Sequence, residues 1–491
     1  GRLEPQVLAT IDAVLHNLYL LGRQGPPESD TQDVCSAFNK LIDELELNTI
    51  ALLGDYPDKR RVHIIVTMPE EAADDYMMVH RLLKSGMNCM RINCAKDDPG
   101  VWLRMIRHLR HAEQATGQDC RVLMDLSGPK LRLGPMEPLP AVIKIRPVRA
   151  RDGRVLRPAR IWLAPAGEAY TEMPAADANL ALEPDWLAQV KVGDRIRFKD
   201  NRGSKRRWRV REAGTDGCWA EASKTAYIAN GTVLRLQHKK GEKKLETIVD
   251  CLVPGESTSL VRTGDILFMS VTDEPGRPAL FGNDDELLNP GRVSLSIPEV
   301  YRDINLGEHV CFDDGRISGI VEKCEATQLQ IRITHTRKAV EKLEGKRGVN
   351  LPDTRLGLPA LGDKDQQDLE FAVKHADMVG LSFTNNAEDV RNLRERLQKL
   401  GREDIGVILK IETRRAFANL PTILLEGLRF PACGIMIARG DLAVECGFER
   451  LSELQEEILW VCESAHVPVI WATQVLEGLS KRGHPTRAEV T

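Results

Sequence analysis

At 491 residues the chain is long enough for two or three ordinary domains. Its 42% hydrophobic and 29% charged residues are globular values, and a formal net charge of -4 argues against a whole-protein affinity for nucleic acid or an acidic membrane. No apolar run approaches the ~20 residues of a membrane span, and nothing at the start resembles a signal peptide.

Residues 1–60 read as a helical extension. Val7, Ile11, Val14, Leu15 and Leu18 recur at helical spacing, as do Phe38, Leu41, Ile42 and Leu45, with a Gly/Pro-rich loop at 24–30 between them. This stretch offers packing surface and no nameable chemistry. From residue 62 strands and helices alternate: strand 62–68, an amphipathic helix to 85, strand 87–93, a helix presenting Trp102, Met105, Ile106 and Leu109 on one face, and strand 120–126. The alternation resumes after 360 with a helix near 365–374, strand 378–383, helix 387–400, strand 405–412 and helix 415–428. A strand around Ile435, Met436 and Ile437 follows and breaks into Arg439, Gly440 and Asp441, with a helical pattern resuming a few residues later. Helix 451–464 and strand 468–474 complete the series.

Seven nearly continuously apolar strands, each followed by a helix, indicate a parallel sheet covered by helices. The expectation is an α/β protein, a (β/α)8 TIM barrel with seven strands present, in preference to an open doubly wound sheet. The barrel occupies 61–134 and 351–491, and an inserted all-β lid domain occupies 135–350. The chain starts on Gly and stops at Thr491 inside a helical pattern, which reads as a truncation before the eighth strand and leaves the activity of the fragment itself open, whatever its parent does. The eleven cysteines include no CxxC, and Cys89, Cys94, Cys120 and Cys433 fall in predicted strands, as in a reduced cytoplasmic protein without structural zinc.

Within the insert, short apolar segments alternate with Gly, Pro and charge. Three similar phrases recur, Val192-Gly-Asp-Arg-Ile196, Thr263-Gly-Asp-Ile-Leu267 and Leu306-Gly-Glu-His-Val310. They fit either a duplicated β unit or chance recurrence of a common turn. Residues 195–211 hold nine basic residues against one acid, Asp200, with Trp208 among them. Such a run could grip a nucleic-acid backbone, but the expectation is a solvated strand face or a surface for anionic substrates. The same holds for Lys239, Lys240, Lys243 and Lys244.

In a barrel of this kind, polar residues at the carboxyl ends of the strands share one mouth. These are Thr67, Arg91 with Asn93, Asp125, Ser382, Lys410 with Glu412, Arg439 with Asp441, and Thr473. Glu412 and Asp441 are hard oxygen ligands suited to Mg2+ (or Mn2+). Lys410 lies two residues before Glu412, so both face the same side of their strand, as a pair serving a phosphoryl group or an enolate, or as a core-edge ion pair. Arg91 could clamp a phosphate, and the Gly440 and Asp441 N–H groups suit a carboxylate.

These residues carry a resemblance. Ile408-Leu-Lys-Ile-Glu412, Gly434-Ile-Met-Ile-Ala-Arg-Gly-Asp-Leu442 and Trp471-Ala-Thr-Gln-Val-Leu-Glu477 resemble pyruvate kinase motifs, as do Pro485-Thr-Arg-Ala-Glu-Val490, Gly86-Met-Asn-Cys-Met-Arg-Ile-Asn93 and Gly348-Val-Asn-Leu-Pro352. Asp313-Asp-Gly315 resembles the phrase where that family's lid returns to the barrel. The helical amino terminus is similar to the extension of a divergent bacterial subgroup. The resemblance implies phosphoryl transfer from phosphoenolpyruvate to ADP, giving pyruvate and ATP in glycolysis, in the cytoplasm and in a homo-oligomeric parent. It implies Mg2+ on Glu412 and Asp441, Lys410 at the transferring phosphoryl and the enolate, and Gly440, Asp441 and Thr473 at the pyruvate carboxylate. Thr473 would also stand near the proton delivered to the enol carbon, Ser382 would line the substrate pocket, and Arg91 and Arg132 would contact phosphates. Arg347, where the family usually has lysine, would join Asn93 and Arg132 at the nucleotide.

Departures from the pattern carry expectations of their own. The family's monovalent-cation site matches at Asn93 and Asp125, but its serine is Ala95, and Lys130 replaces the usual glutamate of the Gly-Pro-Glu phrase. A fixed ammonium at Lys130 is expected to replace K+, so that K+ is not required. Lys96, Asn385 and the Thr67-Met-Pro69 phrase also depart, and the lid is enlarged. The competing expectations are another phosphoenolpyruvate/pyruvate-barrel enzyme, such as a metal-dependent aldolase, and a non-catalytic regulatory homologue; neither accounts for the lid, Arg347, Lys410, Glu412, Asp441 and Thr473 together.

Overall fold

The computed structural model describes residues 11, 14–15, 18, 44–57, 60–167, 175–237, 245–272, 274–282, 286–473, 475–486 and 489. The helical positions expected at Val7, Phe38, Leu41 and Ile42, and the patch of Lys239, Lys240, Lys243 and Lys244, lie outside these residues. The chain forms two compact units, one of residues 1–134, 260–274 and 281–491, the other of residues 135–259 and 275–280. The expected insert is therefore distributed over both.

The first unit contains the alternating elements: β1 (Ile65–Thr67), α1 (Tyr76–Lys84), β2 (Cys89–Asn93), α2 (Pro99–Thr116), β3 (Arg121–Asp125), α3 (Asp363–His375), β4 (Met378–Leu381), α4 (Ala387–Lys399), β5 (Gly406–Ile411), α5 (Arg414–Ala418), α6 (Leu420–Gly427), β6 (Cys433–Ala438), α7 (Arg439–Cys446), α8 (Leu451–Ser464) and β7 (Val469–Ala472). The strands pair in numerical order, every neighbour parallel. One face of the sheet (Val122, Met124, Val379, Leu381, Val407, Leu409, Ile435, Ile437) packs on helix residues such as Trp102, Leu369, Leu393 and Ile458.

The other face curls on itself. Cys89, Leu123, Met378, Ile408, Met436 and Ile470 come from six different strands yet form one buried cluster. Together with Leu52 and Leu53 they fill the concave side of the sheet, as in a barrel-like curl. This is the (β/α)8-barrel architecture with seven strands among the described residues.

A residue from the amino-terminal extension completes that interior. Residues 44–53 are helical, and Leu52, 1% exposed, and Leu53 join the same cluster. Glycines at the starts of β5 and β6 make room: a Cβ on Gly406 would lie 3.0 Å from Leu52 Cδ1, and one on Gly434 2.5 Å from Leu52 Cδ2. The extension thus contributes a plug for the barrel interior. Farther upstream Ile11, Val14, Leu15 and Leu18 are helical and exposed.

Local sequence explains most boundaries. Asp98 caps α2, accepting from Gly100 N (2.7 Å) and Val101 N (3.2 Å), with Pro99 at the first helical position. Two expectations fail. The single helix expected at 415–428 is two, because Pro421 lacks the N–H that continuity needs and its ring would meet the Phe417 carbonyl. The gap expected after Asp441 is absent: α7 begins at Arg439, placing Gly440 and Asp441 in its first turn.

The rest of the first unit holds a six-stranded sheet in the order Gly291–Ser294, Ile266–Ser270, Gln328–Thr336, Ile317–Cys324, His309–Phe312, Val349–Asn350. The second unit is built on a seven-stranded sheet in the order Leu245–Ile248, Val233–Gln237, Arg195–Lys199, Lys205–Gly214, Gly217–Ala222, Ala159–Pro165, Ala178–Leu182. The three recurring phrases adopt one turn. Gly193, Gly264 and Gly307 all have positive φ, and their N–H groups donate to Val210, Ile333 and Val321. In each copy the acid after the glycine accepts, through its side chain, from the backbone N–H three residues earlier, at Lys191, Arg262 and Asn305.

Candidate active site

Strand alternation puts Lys410 and Glu412 on the inner side of β5, above Ile408, because successive side chains point to opposite faces. Lys410 is 7% exposed and Glu412 3%. The Lys410 ammonium donates to Ser382 Oγ (2.7 Å) and Asp125 Oδ2 (3.2 Å) and stands 3.0 Å from Glu412 Oε1. It thereby joins the carboxyl ends of β3, β4 and β5. Burial alone would lower its pKa, but the Asp125 and Glu412 carboxylates outweigh that and raise it, so the lysine is a buried, permanent cation.

Arg91 extends the network. Its Nε (3.0 Å) and Nη2 donate to Asp125 Oδ2, and its Nη1 donates to Thr67 Oγ1 (2.7 Å). Asp125 Oδ2 thus gathers both cations, while Asp125 Oδ1 is buried without a hydrogen-bond partner. Asn93, the register partner of Asp125, accepts from Ala95 N (3.0 Å). Ser382 Oγ donates to the Leu126 carbonyl (2.6 Å).

The carboxylates are crowded. Burial raises the Glu412 pKa; Lys410 opposes this, and the charges of Asp441 and Asp125 add to it. Phe383, held at φ +53°, donates its N–H to Glu412 Oε2 (2.7 Å). Asp441 is gripped by Lys130, whose ammonium lies 2.9 and 3.1 Å from its two oxygens. No set of three His, Cys, Asp or Glu is arranged as a metal cluster among the described residues. The donor set nevertheless fits a Mg2+ that takes two carboxylates and completes its shell with substrate and water oxygens: the repulsion at Glu412 is what a divalent cation relieves.

At the end of β6, Gly440 approaches Thr473; a Cβ there would be 3.5 Å from Thr473 Cγ2. Thr473 is β-branched yet has φ +71°, a conformation costing on the order of 1–3 kcal/mol and typical of functional sites. Arg439 braces it, donating Nε to the Ala472 carbonyl (3.1 Å) and Nη2 to the Thr473 carbonyl. Arg132 and Arg347 sit where the chain leaves and re-enters the barrel. Arg132 Nη1 donates to the Lys346 carbonyl (3.2 Å), and Arg347 pairs with Glu344 and lies 3.4 Å from Asp313. Among the described residues neither makes a hydrogen bond or ion pair with Lys410, Asp125, Ser382 or Glu412.

Two participants were not foreseen. Asp365, buried in the first turn of α3, accepts from Ser127 Oγ (2.9 Å) and Gly128 N (3.1 Å), fixing the loop after β3. Glu445, one helical turn after Asp441, lines a cavity of about 80 Å³ with Phe383, Asn385, Thr413 and Leu351. Burial pushes its pKa up to about 7, against a hydrogen bond from Asn350 Nδ2 (3.2 Å). The i,i+4 spacing of Asp441 and Glu445 was the available signal. A basin of about 1130 Å³ lined by Arg60, Asn88, Arg110, Arg121 and Asp377 lies at the amino ends of the strands and gathers none of these residues.

Comparison with known proteins gives a consistent result. The family model described as "Pyruvate kinase, barrel domain" matches residues 59–148 and 225–491, leaving 149–224 unmatched. A pyruvate kinase of Schizosaccharomyces pombe is 36% identical over 239 residues, 47% of this chain and 45% of that protein. Those of Clostridium acetobutylicum and Geobacillus stearothermophilus are each 32% identical, over 233 and 232 residues, covering 47% of this chain in both cases and 47% and 38% of the respective relatives. The chain spans about half the length of the curated relatives it matches. With a family model covering most of its residues and the strand-end network in place, the chain belongs to the pyruvate kinase family.

Proposed function

We propose that the protein transfers the phosphoryl group of phosphoenolpyruvate to ADP, forming pyruvate and ATP, the glycolytic reaction. The observation that carries this reading is the buried Lys410 ammonium, held by Asp125, Ser382 and Glu412 at the ends of three adjacent strands. In the reaction the bond from phosphorus to the enol oxygen breaks and a bond to a terminal phosphate oxygen of ADP forms. The enolate left behind takes a proton at its terminal carbon to become pyruvate.

Lys410 serves the charge that develops on the enol oxygen and the moving phosphoryl, and serves it strongly because water is excluded there. Arg91, already oriented by Thr67 and Asp125, holds a phosphoryl oxygen. The first-turn N–H groups of α7 at Gly440 and Asp441, with the Thr473 hydroxyl, hold the carboxylate. Thr473 is also positioned to pass the proton, and Ser382 fixes the Lys410 ammonium. Arg132, Arg347 and Asn93 contact the nucleotide, the arginines by exchanging their present acceptors for phosphate. Glu412 and Asp441 would hold Mg2+ or Mn2+, which when bound supplies neutralising charge to the phosphoryl oxygens. Lys130 removes the need for K+. The ten described cysteines, all free, support a reducing, cytoplasmic setting.

The test is coupled pyruvate formation from phosphoenolpyruvate, ADP and Mg2+ by the wild type and Lys410→Met. Turnover that the substitution abolishes supports the reading; wild-type inactivity with every nucleoside diphosphate refutes it.

A further inference from the structure

The basic run of the second unit forms a single two-dimensional array. On the strands Arg195–Lys199 and Lys205–Gly214, Ile196, Phe198, Trp208 and Val210 are buried, so the alternate residues Arg195, Arg197, Lys199, Lys205, Arg207 and Arg209 are locked on the opposite, exposed face. The antiparallel register sets them against one another: Lys205 opposite Lys199, Arg207 opposite Arg197, Arg209 opposite Arg195. On the other flank Arg235 stands opposite Arg197.

Like charges directly opposite each other destabilise a sheet, and opposite-sign neighbours are the usual remedy. The remedy is used at the margins, where Arg211 pairs with Glu221 and Arg235 with Glu246. Among the described residues none of the central six forms an ion pair with a carboxylate, although Arg209 stands opposite Glu221 in the register of the next strand. The array continues to an aromatic pair on the same face, Trp219 opposite Trp162, with ring centroids 5.1 Å apart and the Arg160 guanidinium 4.1 Å from the Trp219 ring. The second unit holds 24 Lys and Arg against 16 Asp and Glu, within a chain whose net charge is -4. Residues 195–209 also lie inside 149–224, the stretch that the family model leaves unmatched.

We infer that this sheet face binds single-stranded nucleic acid. Rows of cations track a phosphate backbone, an open sheet face accepts an extended strand, and the adjacent half-buried tryptophans offer ring surface to unpaired bases. An acidic polypeptide would satisfy the cations and leave the aromatic pair unused. The sequence alone suggested a solvated face; the like-charge register and the aromatic flank are what alter that reading.

Fluorescence anisotropy of the whole chain with labelled 20-nucleotide oligo(U) and oligo(dT), across a KCl series, tests it. The wild type is expected to bind, with affinity falling linearly in log–log salt. Arg195→Gln/Arg197→Gln/Arg207→Gln should weaken binding at least tenfold and flatten the slope by about 2, at roughly 0.7 per lost phosphate contact. If that variant loses its native circular dichroism, Lys199→Gln/Lys205→Gln is expected to give a smaller loss of the same kind. Absence of binding at low salt, or binding and slope unchanged by the substitutions, overturns the inference. So does displacement of the oligomer by polyglutamate at equal charge concentration, which would reassign the face to an acidic protein.

Discussion

The Lys130 ammonium reaches across 311 residues of sequence to lie 2.9 and 3.1 Å from the two carboxylate oxygens of Asp441. The expected monovalent-cation positions have other partners: Asn93 accepts from Ala95 N, and Asp125 Oδ2 receives Arg91 and Lys410. The chain therefore carries its own positive charge at the proposed divalent-cation ligand. Turnover is expected in K+-free, tetramethylammonium-balanced buffer, and Lys130→Glu is expected to become K+-dependent. A strict K+ requirement in the wild type would contradict this.

Glu445 should make stability depend on pH. Burial raises its folded-state pKa to about 7, above the ordinary glutamate value near 4.5. The folded state binds the proton more tightly, so the contribution is full below about pH 4.5 and is lost as pH rises through about 7. It amounts to on the order of 3 kcal/mol. Denaturation midpoints of the wild type and Glu445→Gln, measured between pH 4.5 and 8, should diverge as pH rises, with the variant gaining relative stability. Parallel curves would show that Glu445 is not buried as described.

The Leu52 plug makes a packing prediction. Leu52→Ala empties the barrel interior and should cost about 2–5 kcal/mol. Gly434→Ala should also destabilise, since its Cβ would stand 2.5 Å from Leu52 Cδ2. The added methyl lies beside the space that Leu52→Ala vacates, so the double variant should be more stable than the two losses summed. Strict additivity in urea unfolding would place Leu52 elsewhere.

What was legible in the sequence was what local periodicity encodes. Strands buried on both faces are nearly continuously apolar, so β4, β5 and β6 stood out, and two-residue alternation placed Lys410 and Glu412 on one side. The glycine turns were legible as a repeated phrase, though only the shared hydrogen bonds show that the three copies are one structure. Partners distant in sequence were not legible. Nothing local says that Leu52 fills space left by Gly406 and Gly434, that Lys130 chooses Asp441, or that Glu445 is buried. The break at Pro421 was legible from the proline rule and was overridden by apolar spacing. Register converted the basic run from a composition into an array, because only strand pairing sets Arg197 opposite Arg207.

The central claim is that Lys410, held by Asp125, Ser382 and Glu412, stabilises the charge formed in phosphoryl transfer. Its most direct test is kcat for pyruvate formation from phosphoenolpyruvate and ADP, with Mg2+ saturating, in the wild type and Lys410→Met. A loss on the order of 10²–10³-fold or more is predicted, the effect of removing one preorganised charge donor. A Lys410→Met variant that retains wild-type kcat would contradict the claim.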